Sequence, residues 1–311
     1  MDFKRGFMYI VIMIMIVNII GCEAKESENT EIDTIKNQII VAVSIVPQET
    51  FVKEVAGDLV DVVTMIPPGY SPANYQPTPM QMTKLSKAKV YFSIGVPTEN
   101  INILPKIDDF NKDIKVVPLA DIVGKVYPHR YFEDVEGNEH YHEYEKKHDH
   151  SGRDPHIWLS PKRVKVMIDA IKNELINIDP ENAKVYTENA AAYLDKLDQV
   201  DNDIKEVLSE LDGQSFIIYH PSFGYFADDY GLKMVTIEEE GKEATTRRLQ
   251  DVIDFAKQEK IKFIFYQEEF DSQQAETIAK EIEGATIKVA PLAPNYIENL
   301  RYIASKFKEV I

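Results

Sequence analysis

The chain has 311 residues, 44% of them apolar and 28% charged, a balance that excludes wholesale disorder and suits a protein long enough for two domains. Its formal charge of −17 provides no basic face for a nucleic acid and instead draws cations toward the surface. A single cysteine, Cys22, excludes internal disulfides and thiolate metal clusters together.

Lys4 and Arg5 precede an apolar run from Phe7 to Ile20 that closes on Gly21-Cys22. A basic start, a short apolar stretch and a small residue before cysteine is the layout of a bacterial-type lipoprotein signal. The run is too short to span a bilayer comfortably as a helix. Residues 1–21 therefore read as a signal peptide and Cys22 as the lipidated residue. Polar residues 22–37 read as a flexible tether to the outer face of the cytoplasmic membrane.

From residue 38, short apolar runs alternate with helix-like segments. Strands are expected at 39–44, 60–66, 90–94 and 114–117, with helices at 47–56, 78–87 and 100–107 between them. Ser160-Pro161 supplies an N-cap and a first-turn proline for a helix whose Val164, Ile168, Ile171 and Leu175 share one face. Asp179-Pro180 opens the longest element, running to about Leu211. Its apolar stripe is Ala190, Tyr193, Leu197, Val200, Ile204, Val207 and Leu211. At 1.5 Å per residue that helix would span about 45 Å. A stiff spine fits it better than a coiled-coil seam, because the stripe covers only about four heptads, and the chain reads as a monomer.

After the spine the alternation resumes, with strands at 215–219, 234–237, 261–266 and 286–289. Helices are expected at 245–259, 272–283 and 294–310. The expected architecture is α/β with two lobes, residues 38–178 and 213–311, each a parallel sheet covered by helices. One long helix, 179–212, joins them. Dinucleotide, P-loop and common hydrolase motifs are missing from the sequence.

Five of the seven histidines, His140, His142, His148, His150 and His156, lie between Gly137 and Pro161. Two pairs read His-x-His, a spacing that places both rings on one side of an extended chain. Interleaved Glu139, Glu143, Glu145 and Asp149 add oxygen donors to this loop, residues 137–153. A solvated acidic loop is the plain alternative, but clustered histidines are a compositional signal for metal. Neutral imidazole favours zinc and its neighbours over calcium or magnesium. His156 differs from the other four, since Asp154-Pro155 before it and Trp158 after it give it a fixed setting.

Ligands of parallel sheets bind beyond the carboxyl ends of the strands. Residues 67–75 (PPGYSPANY), His220-Pro221-Ser222, Glu238-Glu239-Glu240-Gly241 and Gln267-Glu268-Glu269 all fall at such ends. Polar loops at matching edges of two lobes imply a metal cleft between them. His220 could be a satisfied core histidine, but a second fixed histidine opposite it favours a ligand. The glutamates taken singly read equally well as a solvated rim.

These residues resemble the lipoprotein receptors of zinc and manganese ABC importers, the group with a rigid interdomain helix. The resemblance runs from Gln38 to the end. It rests on Pro67-Pro68-Gly69 with Ser71-Pro72 and Tyr75-x-Pro77, on Asp154-Pro155-His156-x-Trp158-Leu159-Ser160-Pro161, and on His220-Pro221-Ser222-Phe223-Gly224-Tyr225-Phe226 with Tyr230-Gly231-Leu232. It implies capture of a divalent ion, zinc or else manganese, by two side chains from each lobe, and delivery to a membrane permease. His156 and His220 match two of those positions. The first-lobe loop of that family carries histidine after Ser-Pro, where this chain has Ala73. The last strand ends in Asp-Pro-Leu, where this chain has Ala290-Pro291-Leu292.

An alanine cannot ligate, so either other groups complete the shell or the chain no longer holds metal there. Glu240 and Glu268 or Glu269 are candidates from the second lobe; Asn74, Tyr75 or a loop histidine are candidates from the first. A metal receptor leads the reading. A surface metalloenzyme with zinc on His156 and His220, or a same-fold receptor for a chelated metal, are the alternatives.

Overall fold

The computed structural model describes residues 38–132, 152–238 and 243–311. The signal, Cys22, the tether, His140, His142, His148, His150 and Glu240 lie outside the described residues.

Two four-stranded sheets organise the described chain, and the paired strands in each are parallel. The first contains β1 (Ile39–Val43), β2 (Val60–Thr64), β3 (Val90–Ser93) and β4 (Lys115–Pro118) in the order β2-β1-β3-β4. The second contains β5 (Ser215–Ile218), β6 (Lys233–Thr236), β7 (Phe263–Gln267) and β8 (Ala285–Val289) in the order β6-β5-β7-β8. The same winding is used twice. In both, the strand order reverses across the first and third strands, so a crevice is expected at the carboxyl ends of β1 and β3 and of β5 and β7.

Helices cover both faces of each sheet, which is why the strands are apolar on alternate residues in two directions. Val41 and Val43 of β1 enter the central core, whereas Ala42 enters a smaller outer one. On β5, Phe216 and Ile218 point to the central core and Ile217 to the outer one. The central core is continuous between the sheets. Around it pack α1 (Val46–Ala56), α5 (Pro161–Ile178), α6 (Ala183–Leu208) and α10 (Tyr296–Val310). The outer faces are covered by α2 (Pro79–Leu85) and α3 (Ile107–Phe110) on the first sheet. On the second they are covered by α8 (Thr246–Glu259) and α9 (Gln273–Glu281). Two further short helices are α4 (Leu119–Gly124) and α7 (Gly224–Tyr230).

The long helix forms as expected but is shorter and more deeply buried. A 3₁₀ turn over Pro180–Asn182 precedes it, because proline opens the turn, and α6 then runs 26 residues, about 39 Å. Tyr186, Ala190, Tyr193, Leu197, Val200, Ile204 and Leu208 form its buried stripe against α5, α10 and α1. Burying each large apolar side chain contributes roughly 1.5–3 kcal/mol. The stripe expected from the sequence thus packs within its own chain. Leu208 takes the last buried place, while Val207 and Leu211 are only partly covered.

The helix expected at 100–107 is broken into a π turn, a 3₁₀ turn at Leu104–Lys106 and the four-residue α3. Pro105 lacks the N–H a continuous helix would need. Helices α4 and α7 are too short to show periodicity in the sequence. Gly231 ends α7 at φ 74°, and a Cβ there would meet Asp212 Oδ1 at 2.2 Å.

Candidate metal centre

His156 directly precedes a 3₁₀ turn, Ile157–Leu159, that leads into α5; Ser160 caps that helix, accepting the N–H of Arg163, and Pro161 opens it. Contacts with the second sheet and its helices hold this segment in place. Trp158 Nε1 donates to Pro291 O at 3.0 Å, Tyr296 OH donates to Trp158 O at 2.7 Å, and Tyr225 OH donates to Asp154 O at 3.2 Å. Arg163 pairs with Asp229 at 2.8 Å and lies over the Tyr225 ring. Just upstream, Tyr131 and Arg153 form an antiparallel bridge, and Phe132 N–H donates to Gly152 O at 2.8 Å. A short neck therefore joins the base of the histidine-rich segment to His156.

His220 lies two residues beyond β5. The ladder outlasts the regular strand there, with Tyr219 N–H donating to Phe265 O and Ile237 N–H to Ile218 O. These bonds bring His220 beside Glu238. The His220 ring stacks on Phe270 with centroids 4.5 Å apart and 20° between planes.

Both imidazoles are anchored the same way. His156 Nδ1 lies 2.7 Å from Asp154 Oδ1, which also accepts the His156 backbone N–H at 2.9 Å. His220 Nδ1 lies 2.9 Å from Glu238 Oε2. Asp154 and Glu238 are buried acceptors, so in the neutral form of each ring Nδ1 carries the proton and Nε2 presents a lone pair. The two Nε2 atoms face each other at 3.3 Å. Burial lowers the His156 pKa, with Asp154 opposing, and the ring stays neutral at neutral pH. Two such lone pairs repel unless a proton or cation sits between them.

The rings open into a cavity of about 20 Å³, also lined by Pro72, Trp158, Ser222, Gln267, Glu269, Phe270, Pro291 and Leu292. That volume is about the size of one ion or water. Both carboxylate oxygens of Glu269 are buried without a partner side chain among the described residues. Burial pushes its pKa up to about 7, opposed by its own backbone N–H and Lys288 and reinforced by Glu268. Glu268 turns away, pairing with Lys288 at 3.1 Å. Among the described residues no three His, Cys, Asp or Glu side chains yet converge at ligating distance.

At the first sheet only Pro72 of the 67–75 loop reaches the cavity lining. Tyr75 OH donates to Gln81 Oε1 at 2.8 Å, Asn74 is exposed, and the Ala73 N–H lies 3.3 Å from Ser71 Oγ. Pro291 and Leu292 line the cavity, while the Ala290 carbonyl accepts from Asn299. In the sequence Asp154 stands only as a neighbour of His156, and Glu238 and Gln267 only as members of polar strand-end segments; Phe270 carries no signal there. The signal for Glu238 was its place: like His220, it stands two residues beyond the end of its strand, and the two strands are neighbours.

Comparison with known proteins adds a family to this geometry. The profile described as "Zinc-uptake complex component A periplasmic" matches residues 41–310. The zinc-binding lipoprotein AdcA of Streptococcus pneumoniae is 32% identical over 249 residues, 79% of this chain and 48% of its own length. The chain thus spans about half the length of the streptococcal relatives it matches. The high-affinity zinc uptake system protein ZnuA of Bacillus subtilis is 27% identical over 295 residues, 91% of this chain and 88% of its own. A crystal structure of ZnuA superposes with a TM-score of 0.77 at 33% identity, covering 88% of this chain and 99% of that one.

Proposed function

This chain belongs to the zinc-uptake complex component A family, and from that premise we propose that it captures zinc outside the cytoplasmic membrane and delivers it to the permease of an ABC importer. The observation that carries this is the pair of carboxylate-anchored imidazoles with Nε2 atoms 3.3 Å apart. Two Zn–N bonds of about 2.0–2.1 Å at a tetrahedral angle place their nitrogens about 3.3–3.4 Å apart. The pocket is therefore pre-set for one small cation. Manganese favours carboxylate and water oxygens, so two imidazoles lean the site toward zinc. The matched family is a component of a zinc-uptake complex, a transporter part rather than an enzyme.

Glu269 supplies the third donor: it lines the same pocket as both histidines, and both its carboxylate oxygens are buried without a partner side chain among the described residues. Glu268, held by Lys288, is the weaker candidate. His140, His142, His148 and His150 gather ions and pass them inward, while lipid on Cys22 keeps the monomeric receptor at the membrane. Residues 38–178 and 213–311 act as the two lobes around the ion.

Calorimetric zinc titration tests the assignment. His156→Ala or His220→Ala is expected to weaken binding by at least about 100-fold, above the 10–100-fold typical of losing an anchoring partner. Unchanged dissociation constants in both variants would remove this pocket as the site.

A further inference from the structure

We propose that Gln267 is a positioning residue for zinc capture, acting through the peptide that carries His220; this rests on the zinc reading above. Gln267 is the last residue of β7 and has no exposed surface. Its side-chain amide takes over where the β5–β7 ladder stops. The last main-chain bond there runs from Tyr219 N–H to Phe265 O. One residue on, Gln267 Oε1 accepts the His220 N–H at 3.2 Å, and Gln267 Nε2 donates to His220 O at 2.7 Å. Its second amide proton goes to Ser222 Oγ at 2.7 Å. Both donors and one acceptor of the amide are thus used on a three-residue stretch. The reverse amide orientation is excluded, because it would set NH₂ against the His220 N–H and oxygen against its carbonyl.

The consequence is control of the ring. Glu238 fixes only the Nδ1 end of the His220 side chain, and Phe270 only its plane. Neither fixes the backbone from which the ring hangs, since β5 ends at Ile218 and His220 follows it in an irregular turn. Within the turn itself Ser222 N–H donates to His220 O at 2.7 Å, and Gln267 ties that turn to β7 in the form of an extra strand rung. Loss of the clamp lets the Nε2 of His220 drift relative to that of His156, and a ligand pair that must hold its geometry to within about 0.5 Å is sensitive to such drift.

Gln267→Met, which keeps length and removes all three bonds, and Ser222→Ala, which removes only one, separate the clamp from general packing. Zinc titration is expected to show a 10–100-fold loss for Gln267→Met and a smaller loss for Ser222→Ala, which keeps both bonds from Gln267 to the His220 peptide. The visible spectrum of cobalt(II) at saturating metal adds a readout that a purely structural role would not move. Its bands are expected to shift in Gln267→Met, while the metal-free variant keeps the wild-type near-ultraviolet circular dichroism. Should Gln267→Met not fold, Gln267→Glu replaces it, since it keeps shape and burial but sets a carboxylate oxygen against the His220 carbonyl. It is expected to weaken zinc binding at least tenfold at neutral pH. Wild-type affinity and an unchanged cobalt spectrum in a folded Gln267 variant, with His220→Ala still losing zinc, would overturn the inference alone. Equal binding by wild type and His220→Ala would instead overturn the zinc site itself.

Discussion

The two sheets share one strand order, yet their carboxyl ends differ in how completely the polar groups are satisfied. At the first, Gln48 Oε1 accepts the N–H groups of Ser44 and Ile45, and Gln48 Nε2 donates to Phe92 O. Buried Glu99 accepts the Ser44 hydroxyl and the N–H groups of Ile94 and Gly95, and Ser44 Oγ is bonded to Tyr91 OH at 2.7 Å. The network closes on itself. At the second, Gln267 makes a comparable clamp, but two imidazole nitrogens face each other and three carboxylate oxygens, Glu238 Oε1 and both of Glu269, are buried without partner side chains among the described residues. An unsatisfied buried acceptor costs about 1–3 kcal/mol. Leaving both Glu269 oxygens and one of Glu238 unsatisfied around the two histidines is the mark of a place that a cation completes.

The sharpest way to break this comparison is to neutralise one buried carboxylate at each end. Glu238→Gln removes the charge that orients His220 and is expected to lower zinc affinity about 10–100-fold. Glu99→Gln leaves Ser44, Ile94 and Gly95 with one acceptor fewer and is expected to destabilise the fold by about 1–3 kcal/mol while leaving zinc affinity unchanged. Denaturation and zinc titration of both variants decide it. A zinc defect in Glu99→Gln equal to that in Glu238→Gln would erase the distinction between the two ends.

A smaller effect sharpens the role of Glu269. Its pKa of about 7 means that zinc must displace a proton at mildly acid pH, so affinity falls as pH drops through about 7. Glu269→Gln is expected to flatten that part of the profile and to weaken binding by about tenfold or less near pH 8. In the metal-free protein the sign for stability is opposite to that for zinc. Between the ordinary 4.5 and about 7 the folded state holds a proton that the unfolded chain releases. That contribution to stability is complete below about 4.5 and is lost as pH rises through about 7. A pH profile of zinc affinity identical in wild type and Glu269→Gln would exclude Glu269 as a ligand.

Much of this was legible in the sequence. The paired sheets, the central helix and the two fixed histidines follow from alternating apolar runs, a long stripe and residues bracketed by proline, tryptophan and strand ends. The rest depends on register, which a single chain does not display. Glu268 and Glu269 are adjacent, and only the turn after β7 sends one to Lys288 and the other into the pocket. Glu238 read as part of a polar rim until the β5–β6 pairing set it beside His220. Gln267 was visible only as a polar residue before two glutamates, because a side chain completing a strand rung has no periodic signature. The first-sheet loop read as a source of ligands, yet it brings only Pro72 to the cavity.

The central claim is that zinc sits between His156 and His220 and draws in Glu269. A crystal structure of the zinc-loaded protein with anomalous differences collected at the zinc edge tests it directly. One dominant peak is expected about 2.0–2.1 Å from both Nε2 atoms, with a Glu269 oxygen turned toward it at about 2.0–2.2 Å. A dominant peak bound only by the histidines of residues 140–150, with the Nε2 atoms of His156 and His220 left facing each other, would contradict it.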